Sequence, residues 1–249
     1  MNNIYAEVHG EDESPPLVLI HGSGGTRLHW PPDVRRMPAA KVYALDLPGH
    51  GKSPGPAAAS IEGYVEAIQG WMELMLERPA LVAGHSLGGA ITLALAKRAP
   101  EKLAGIALVG SGARLRVHPT ILSGSENPAA FPAVVDQIMD WAFGSQAAPR
   151  LVQLARRRML EVPPSVVNAD FRACDAFDMI DELETIKLPA LLICGSEDRL
   201  TPLKYSEFMA ARLPAAALEV VPGAGHMVML EQPAVVAAAL AAFLAQLKP

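Results

Sequence analysis

The chain has 249 residues, 51% hydrophobic and 19% charged, a composition that buries a large core and excludes disorder along most of its length. Its 21 Lys and Arg against 26 Asp and Glu leave a net charge of −5, which argues against a general nucleic-acid binder, whose counterion release needs a basic face. Two cysteines, Cys174 and Cys194, make neither a disulfide framework nor a four-ligand zinc site.

The sequence opens without an apolar stretch leading to a small-residue cleavage site. The alanine-rich run from Ala234 to Leu247 is too short to cross a bilayer. The expectation is a cytoplasmic protein with no membrane span and no nucleic-acid partner.

In chain order, Ile4 to Val8 reads as a first strand, pairing antiparallel. Leu17-Val18-Leu19-Ile20 is a short continuous apolar run ending at His21-Gly22, the mark of a strand buried on both faces. Val42 to Leu45 is another, closed by Asp46 and the turn Pro48-Gly49-His50-Gly51. Ile61, Tyr64, Val65, Ile68, Met72 and Met75 then recur at helical steps, with Ser60 placed as N-cap. Ala80 to Ala83 predicts a strand, and Leu87 to Ala99 a helix that Pro100 stops. Strands follow at Gly105 to Val109, Ala190 to Ile193 and Leu218 to Val221. Val236, Leu240, Phe243, Leu244 and Leu247 stripe a closing helix with Pro233 in its first turn.

Strands alternating with helices imply an α/β protein with a doubly wound, mostly parallel sheet. The alternation breaks between Ser111 and Lys187. There Val134, Val135, Ile138, Met139 and Ala142 repeat helically, as do Leu151, Leu154, Ala155 and Met159, and six prolines punctuate the stretch. The expected organisation is a core of residues 1–111 and 188–249 with a helical cap, residues 112–187, inserted between two strands.

The chemistry centres on Gly84-His85-Ser86-Leu87-Gly88, lying between a strand and a helix. A G-x-S-x-G in that setting is a nucleophile elbow. The serine sits on a tight, strained turn at a helix N-terminus, and the N–H of the next residue, Leu87, is placed to donate to an oxyanion. A second match, Gly51-Lys52-Ser53-Pro54-Gly55, fails. It follows a turn rather than a strand, and Pro54 has no N–H to offer.

A serine hydroxyl needs a base, and an imidazole held by a carboxylate serves best. Of seven histidines, His226 lies in a Gly-rich loop between the last strand and the closing helix, where a doubly wound sheet places its site. Asp198, after the strand at 190–193, is the best carboxylate, with Glu197 beside it as the alternative. The order Ser86, Asp198, His226 is that of the α/β hydrolases. His21 and His85 line or brace this site, and His50 belongs to a turn. Trp141, Phe143, Met139, Met159 and Phe171 either line an acyl pocket or pack against the sheet. Trp30 and Met227 are placed at the border of the cleft. Arg156-Arg157-Arg158 reads as a solvated helix face.

The chain resembles the α/β-hydrolase fold superfamily along nearly its whole length. The carrying motifs are His21-Gly22-Ser23-Gly24-Gly25, Asp46-Leu47-Pro48-Gly49-His50-Gly51-Lys52-Ser53, Gly84 to Gly89, Gly195-Ser196-Glu197-Asp198 and Gly223-Ala224-Gly225-His226. The resemblance implies that the His-Gly loop supplies the second oxyanion N–H, from Ser23, and that the Asp46 to Ser53 loop is structural. It implies a carboxylesterase-type serine hydrolase acting on a small or medium acyl ester, with no metal and no cofactor. The same triad serves carbon–carbon, lactone and thioester cleavage, and some proteins of this fold bind ligands without catalysis. Oligomeric state is not legible.

Overall fold

The computed structural model describes residues 4–11, 15–38 and 40–247. The elements run β1 (Tyr5–His9), β2 (Leu17–Ile20), α1 (Pro32–Arg35), β3 (Val42–Asp46), α2 (Ile61–Met75), β4 (Ala80–His85), α3 (Leu87–Arg98) and β5 (Leu103–Val109). Four helices follow: α4 (Pro119–Glu126), α5 (Phe131–Ala142), α6 (Pro149–Leu160) and α7 (Pro164–Ala176). The chain closes with β6 (Ala190–Gly195), α8 (Leu203–Ala210), β7 (Ala216–Val221), α9 (Val228–Glu231) and α10 (Pro233–Leu244). The extreme ends of the expected core, residues 1–3 and 248–249, lie outside the described residues.

The strands form one sheet in the order β1-β3-β2-β4-β5-β6-β7. β1 runs antiparallel to β3, as the sequence predicts, and the remaining pairs are parallel. The continuous apolar runs follow from burial on both faces. In β2, Val18 and Ile20 join the core on one side and Leu17 and Leu19 the core on the other. The first core takes the apolar stripes of α2 and α3, and the second takes those of α1, α5 and α10. Ser60 caps α2 by accepting the Gly63 N–H at 3.2 Å.

Two strands start earlier than the sequence suggests. β5 begins at Leu103, ahead of Gly105, and β7 at Ala216. β7 is one of the two edge strands and only half covered, so its small alanines carry no apolar signal. Helices α1, α8 and α9 were not foreseen; two are single turns, and α8 buries only Ser206 and Met209.

Strand order reverses between β2 and β4. β3 lies to one side of β2, and β4, β5, β6 and β7 follow on the other. A crevice opens at such a reversal because the two crossovers leave on opposite faces. The His21 to Gly25 loop leaves β2 there, and Ser86 leaves β4, with Ile20 and Gly84 paired as neighbours. Helices α4 to α7 fall between β5 and β6. Among the described residues no helix is long and apolar enough to cross a membrane.

Candidate active site

Ser86 is the sole non-glycine residue with positive φ among the described residues, at φ 53°, ψ −114°. Holding an L-residue there costs about 1–3 kcal/mol. The turn is over-determined: Ser86 N–H donates to Val109 O at 3.0 Å, and its carbonyl accepts from Ser111 Oγ at 2.8 Å and Gly89 N at 2.9 Å. A Cβ on Gly84 would stand 2.0 Å from the Gly88 carbonyl oxygen, so glycine alone allows the strand and helix to close this tightly.

The candidate acid and base, Asp198 and His226, arrive from the other half of the sheet. His226 Nδ1 lies 2.9 Å from Asp198 Oδ2. The carboxylate is buried and otherwise full. Its Oδ1 accepts the N–H groups of Leu200 and Thr201 at 2.9 and 2.8 Å, and Oδ2 accepts the Thr201 hydroxyl at 2.8 Å. Burial alone would raise the Asp198 pKa, but the His226 charge and these hydrogen bonds together lower it. Glu197, the sequence alternative, points elsewhere and accepts the backbone and hydroxyl of Ser145. Gly110 packs against the pair; a Cβ on it would come within 3.3 Å of His226 Nδ1 and 3.4 Å of Asp198 Oδ2.

The His226 loop is held from three sides. His85 Nε2 is 3.1 Å from the His226 carbonyl, so that nitrogen carries the proton and donates. Met227 N–H donates to Ala142 O at 3.0 Å. The half-buried Glu231 carboxylate takes Gly225 N–H at 2.9 Å and Gly144 N–H at 2.8 Å, tying the loop to the end of α5. Ser86 and His226 border the same cavity, and no hydrogen bond joins the Ser86 hydroxyl to the imidazole among the described residues. Such contacts commonly close only around substrate.

Neither the Ser23 nor the Leu87 N–H donates to a protein acceptor among the described residues. A donor left open at a helix start suits a developing oxyanion. The loop carrying Ser23 is anchored by a carboxylate that sequence reasoning missed. Asp170, fully buried on α7, accepts Gly24 N–H at 2.8 Å, the Tyr64 hydroxyl at 2.5 Å and a bond from His50 Nε2 at 3.0 Å. Cys174, one turn further on, sets its thiol 3.6 Å from Ser23 Oγ, and burial pushes that thiol up to about 12. His50 is a turn residue as expected, but its ring reaches across to α7. In the Asp46 to Ser53 loop, Asp46 accepts the N–H groups of Arg27 and Lys52, and Ser53 Oγ donates to Asp46 O at 2.5 Å.

Two cavities border Ser86. The larger, about 420 Å³, is lined by Leu115, Val117, Ile121, Trp141, Phe171 and Tyr205, with Arg116, His118 and Arg199 also present. The smaller, about 60 Å³, is lined by His29, His85, Met139, Ala142, Ala155, Met159 and Met227. Of the candidate pocket residues, Trp141 therefore borders the first, and His85, Met139, Met159 and Met227 the second. Phe171 borders both, and Phe143 neither. Trp30 is buried in the core and lines neither. Arg157 and Arg158 are exposed, and Arg156 pairs with Asp136 at 2.5 Å. Among the described residues no group of three or more His, Cys, Asp or Glu side chains is arranged to hold a metal ion.

Burial controls the histidines around the site. It lowers the pKa of His21 and His85 well below the ordinary 6.5, aided by neighbouring imidazoles, and that of His29 to about 4. His50 goes the other way. Burial opposes its charge, but Asp170 outweighs burial and raises it. The three depressed groups bind protons in the unfolded chain below pH 6.5 and not in the fold. Stability should fall from there as pH drops toward 4, by about 1.4 kcal/mol per pH unit for each imidazole kept neutral. The His50 contribution is complete below 6.5 and fades as pH rises through its raised value. Urea midpoints between pH 7 and pH 4.5 should reveal an uptake of more than one proton on unfolding; a flat profile would contradict these burials.

Comparison with known proteins gives a family model, described as "Alpha/beta hydrolase family", that matches residues 17–239. A pimeloyl-[acyl-carrier protein] methyl ester esterase of Neisseria meningitidis serogroup A is 30% identical over 86% of this chain and 72% of its own length. The protein of that name from Aromatoleum aromaticum is 32% identical over 88% of this chain and 94% of its own. A solved thermophilic esterase superposes with a TM-score of 0.86 at 34% identity, covering 98% of each chain.

Proposed function

Since the chain belongs to the alpha/beta hydrolase family, we propose that it hydrolyses carboxylic esters through an acyl-enzyme on Ser86, with residues 112–187 acting as a helical cap. The observation that carries this reading is the juxtaposition on one cavity of a serine in a left-handed elbow and an imidazole whose Nδ1 is held by a buried carboxylate. With Nδ1–H donating to Asp198, Nε2 is unprotonated and free to act as base.

In the first step Ser86 Oγ attacks the ester carbonyl while His226 Nε2 takes its proton. The carbonyl oxygen gains the negative charge and accepts the N–H groups of Ser23 and Leu87, a contribution of about 3 kcal/mol per donor in comparable sites. Collapse breaks the bond to the alkoxy oxygen, which leaves as the alcohol with the proton from His226. Water then attacks the acyl carbon, giving its proton to the same nitrogen. The bond to Ser86 breaks, the acid departs, and Ser86 recovers its proton. Asp198 fixes the tautomer and stabilises the imidazolium at both stages.

The relatives named as methyl ester esterases, near 30% identity along most of the chain, support an ester as the substrate. The apolar lining of the larger cavity supports a hydrophobic group on one side of it. A fluorophosphonate probe tests the reading directly. Covalent labelling of the folded protein should map by peptide mass spectrometry to Ser86 and accompany turnover of p-nitrophenyl butyrate. A folded protein that takes up no label would be a ligand-binding member of the fold instead.

A further inference from the structure

The two cavities differ sevenfold in volume, 420 against 60 Å³, yet share Ser23, Ser86, Ile138, Phe171, Leu200 and His226. Each therefore borders the serine and the imidazole, so the two substituents of an ester held there can be divided between compartments of unequal size. We propose that this size difference selects the substrate: an ester with one small, uncharged group of about one to three carbons in the narrow compartment and a bulky apolar group in the wide one. The inference rests on the serine-hydrolase reading above.

The narrow compartment has fixed walls. Met139 and Ala142 come from α5, and Ala155 and Met159 from α6, all buried. Met159 also abuts the oxyanion loop, where a Cβ on Gly24 would lie 3.3 Å from its Cε. Enlarging the compartment would thus mean moving α6 away from the loop that carries Ser23. Its two polar walls, His29 and His85, are buried in the low-pKa, neutral form described above. No side chain there carries a charge to receive an ionic group, whose desolvation would be costly. The wide compartment is apolar on most of its wall, and its arginines, Arg116 and Arg199, are exposed and paired with Asp178 and Asp140.

The test is a pair of ester series measured as kcat/KM. One holds a bulky phenylalkanoic acid constant and lengthens the alcohol from methyl to butyl. The other holds a bulky alcohol constant and lengthens the acyl group from acetyl to pentanoyl. In at least one series the small member should be favoured at least about tenfold, since a pocket wall discriminates roughly that much per methylene. The series that responds identifies which side of the ester occupies the narrow compartment. Met159→Ala, and independently Met139→Ala, should cut that preference by about tenfold, whereas Ala155→Leu should sharpen it. Fluorophosphonate labelling of each variant confirms a folded site. Equal rates along both series, with Ser86 still labelled, would overturn the size selection and leave the hydrolase standing. No turnover of any member and no labelling would instead strike the serine-hydrolase reading itself.

Discussion

Replacing Ser86 by alanine is expected to lower kcat/KM for a p-nitrophenyl ester by about a million-fold, the loss typical when a nucleophile acting as part of a unit is removed. Stability should hardly move. The bonds that fix the turn run through the backbone of residue 86, from its N–H to Val109 O and from Ser111 and Gly89 to its carbonyl, and alanine keeps all of them. The informative control is Ser53, the other serine in a G-x-S-x-G pattern. Its hydroxyl donates to Asp46 O and accepts from Tyr5 N–H at 2.9 Å, so Ser53→Ala should cost about 1–2 kcal/mol of stability and spare the rate. Circular dichroism with initial-rate kinetics separates the two effects. Activity above one part in a hundred in a folded Ser86→Ala protein would overturn the nucleophile assignment.

The second large effect is expected of Asp198→Asn, a fall in kcat of about ten-thousand-fold with KM little changed. The reason lies in how the carboxylate is filled. Oδ1 faces two backbone N–H groups, from Leu200 and Thr201, so an asparagine would set its carbonyl oxygen there and turn its NH2 toward His226. An NH2 group donates to Nδ1 and leaves the proton on Nε2, the nitrogen that must accept one from serine. The geometry would survive and the tautomer would be wrong. Glu197→Gln, one residue away, removes only a contact to Ser145 and should alter kcat by less than about threefold. If the damage followed position 197 instead, the acid would have been misassigned.

Much of the fold is written in local pattern. Leu17 to Ile20 and Val42 to Leu45 are buried on both faces and so are apolar without interruption, and Ser60 stands one residue before the helix it caps. The G-x-S-x-G serine was separable from its decoy because a strand precedes one and a proline disables the other. Chain order leaves Asp198 and Glu197 as alternatives, and the contact that distinguishes them, 2.9 Å to His226, exists only once β6 and β7 are paired. What stayed hidden depends on contacts distant in sequence. Asp170 meets Gly24, His50 and Tyr64 across more than a hundred residues, and no spacing rule connects them. Glu231 escaped in part for the same reason, since it also binds Gly144, 87 residues away. An aspartate on an unremarked helix reads as a solvated residue until its carboxylate is seen accepting the Gly24 N–H of the loop that carries Ser23. Trp30 errs in the opposite sense, because an aromatic near a Gly-rich loop suggests a cleft, whereas its indole fills the core.

The backbone at residue 86 also bears on how such a chain ages under selection. Glycine would rest easily at φ 53°, where serine is held against its preference. With Ser86 as the proposed nucleophile, a lineage released from that chemistry would gain durability by drifting to glycine there, on the order of 1 kcal/mol, and the change could not easily be reversed in function. A side chain retained at that angle marks a position where longevity of the fold and usefulness of the protein pull in contrary directions.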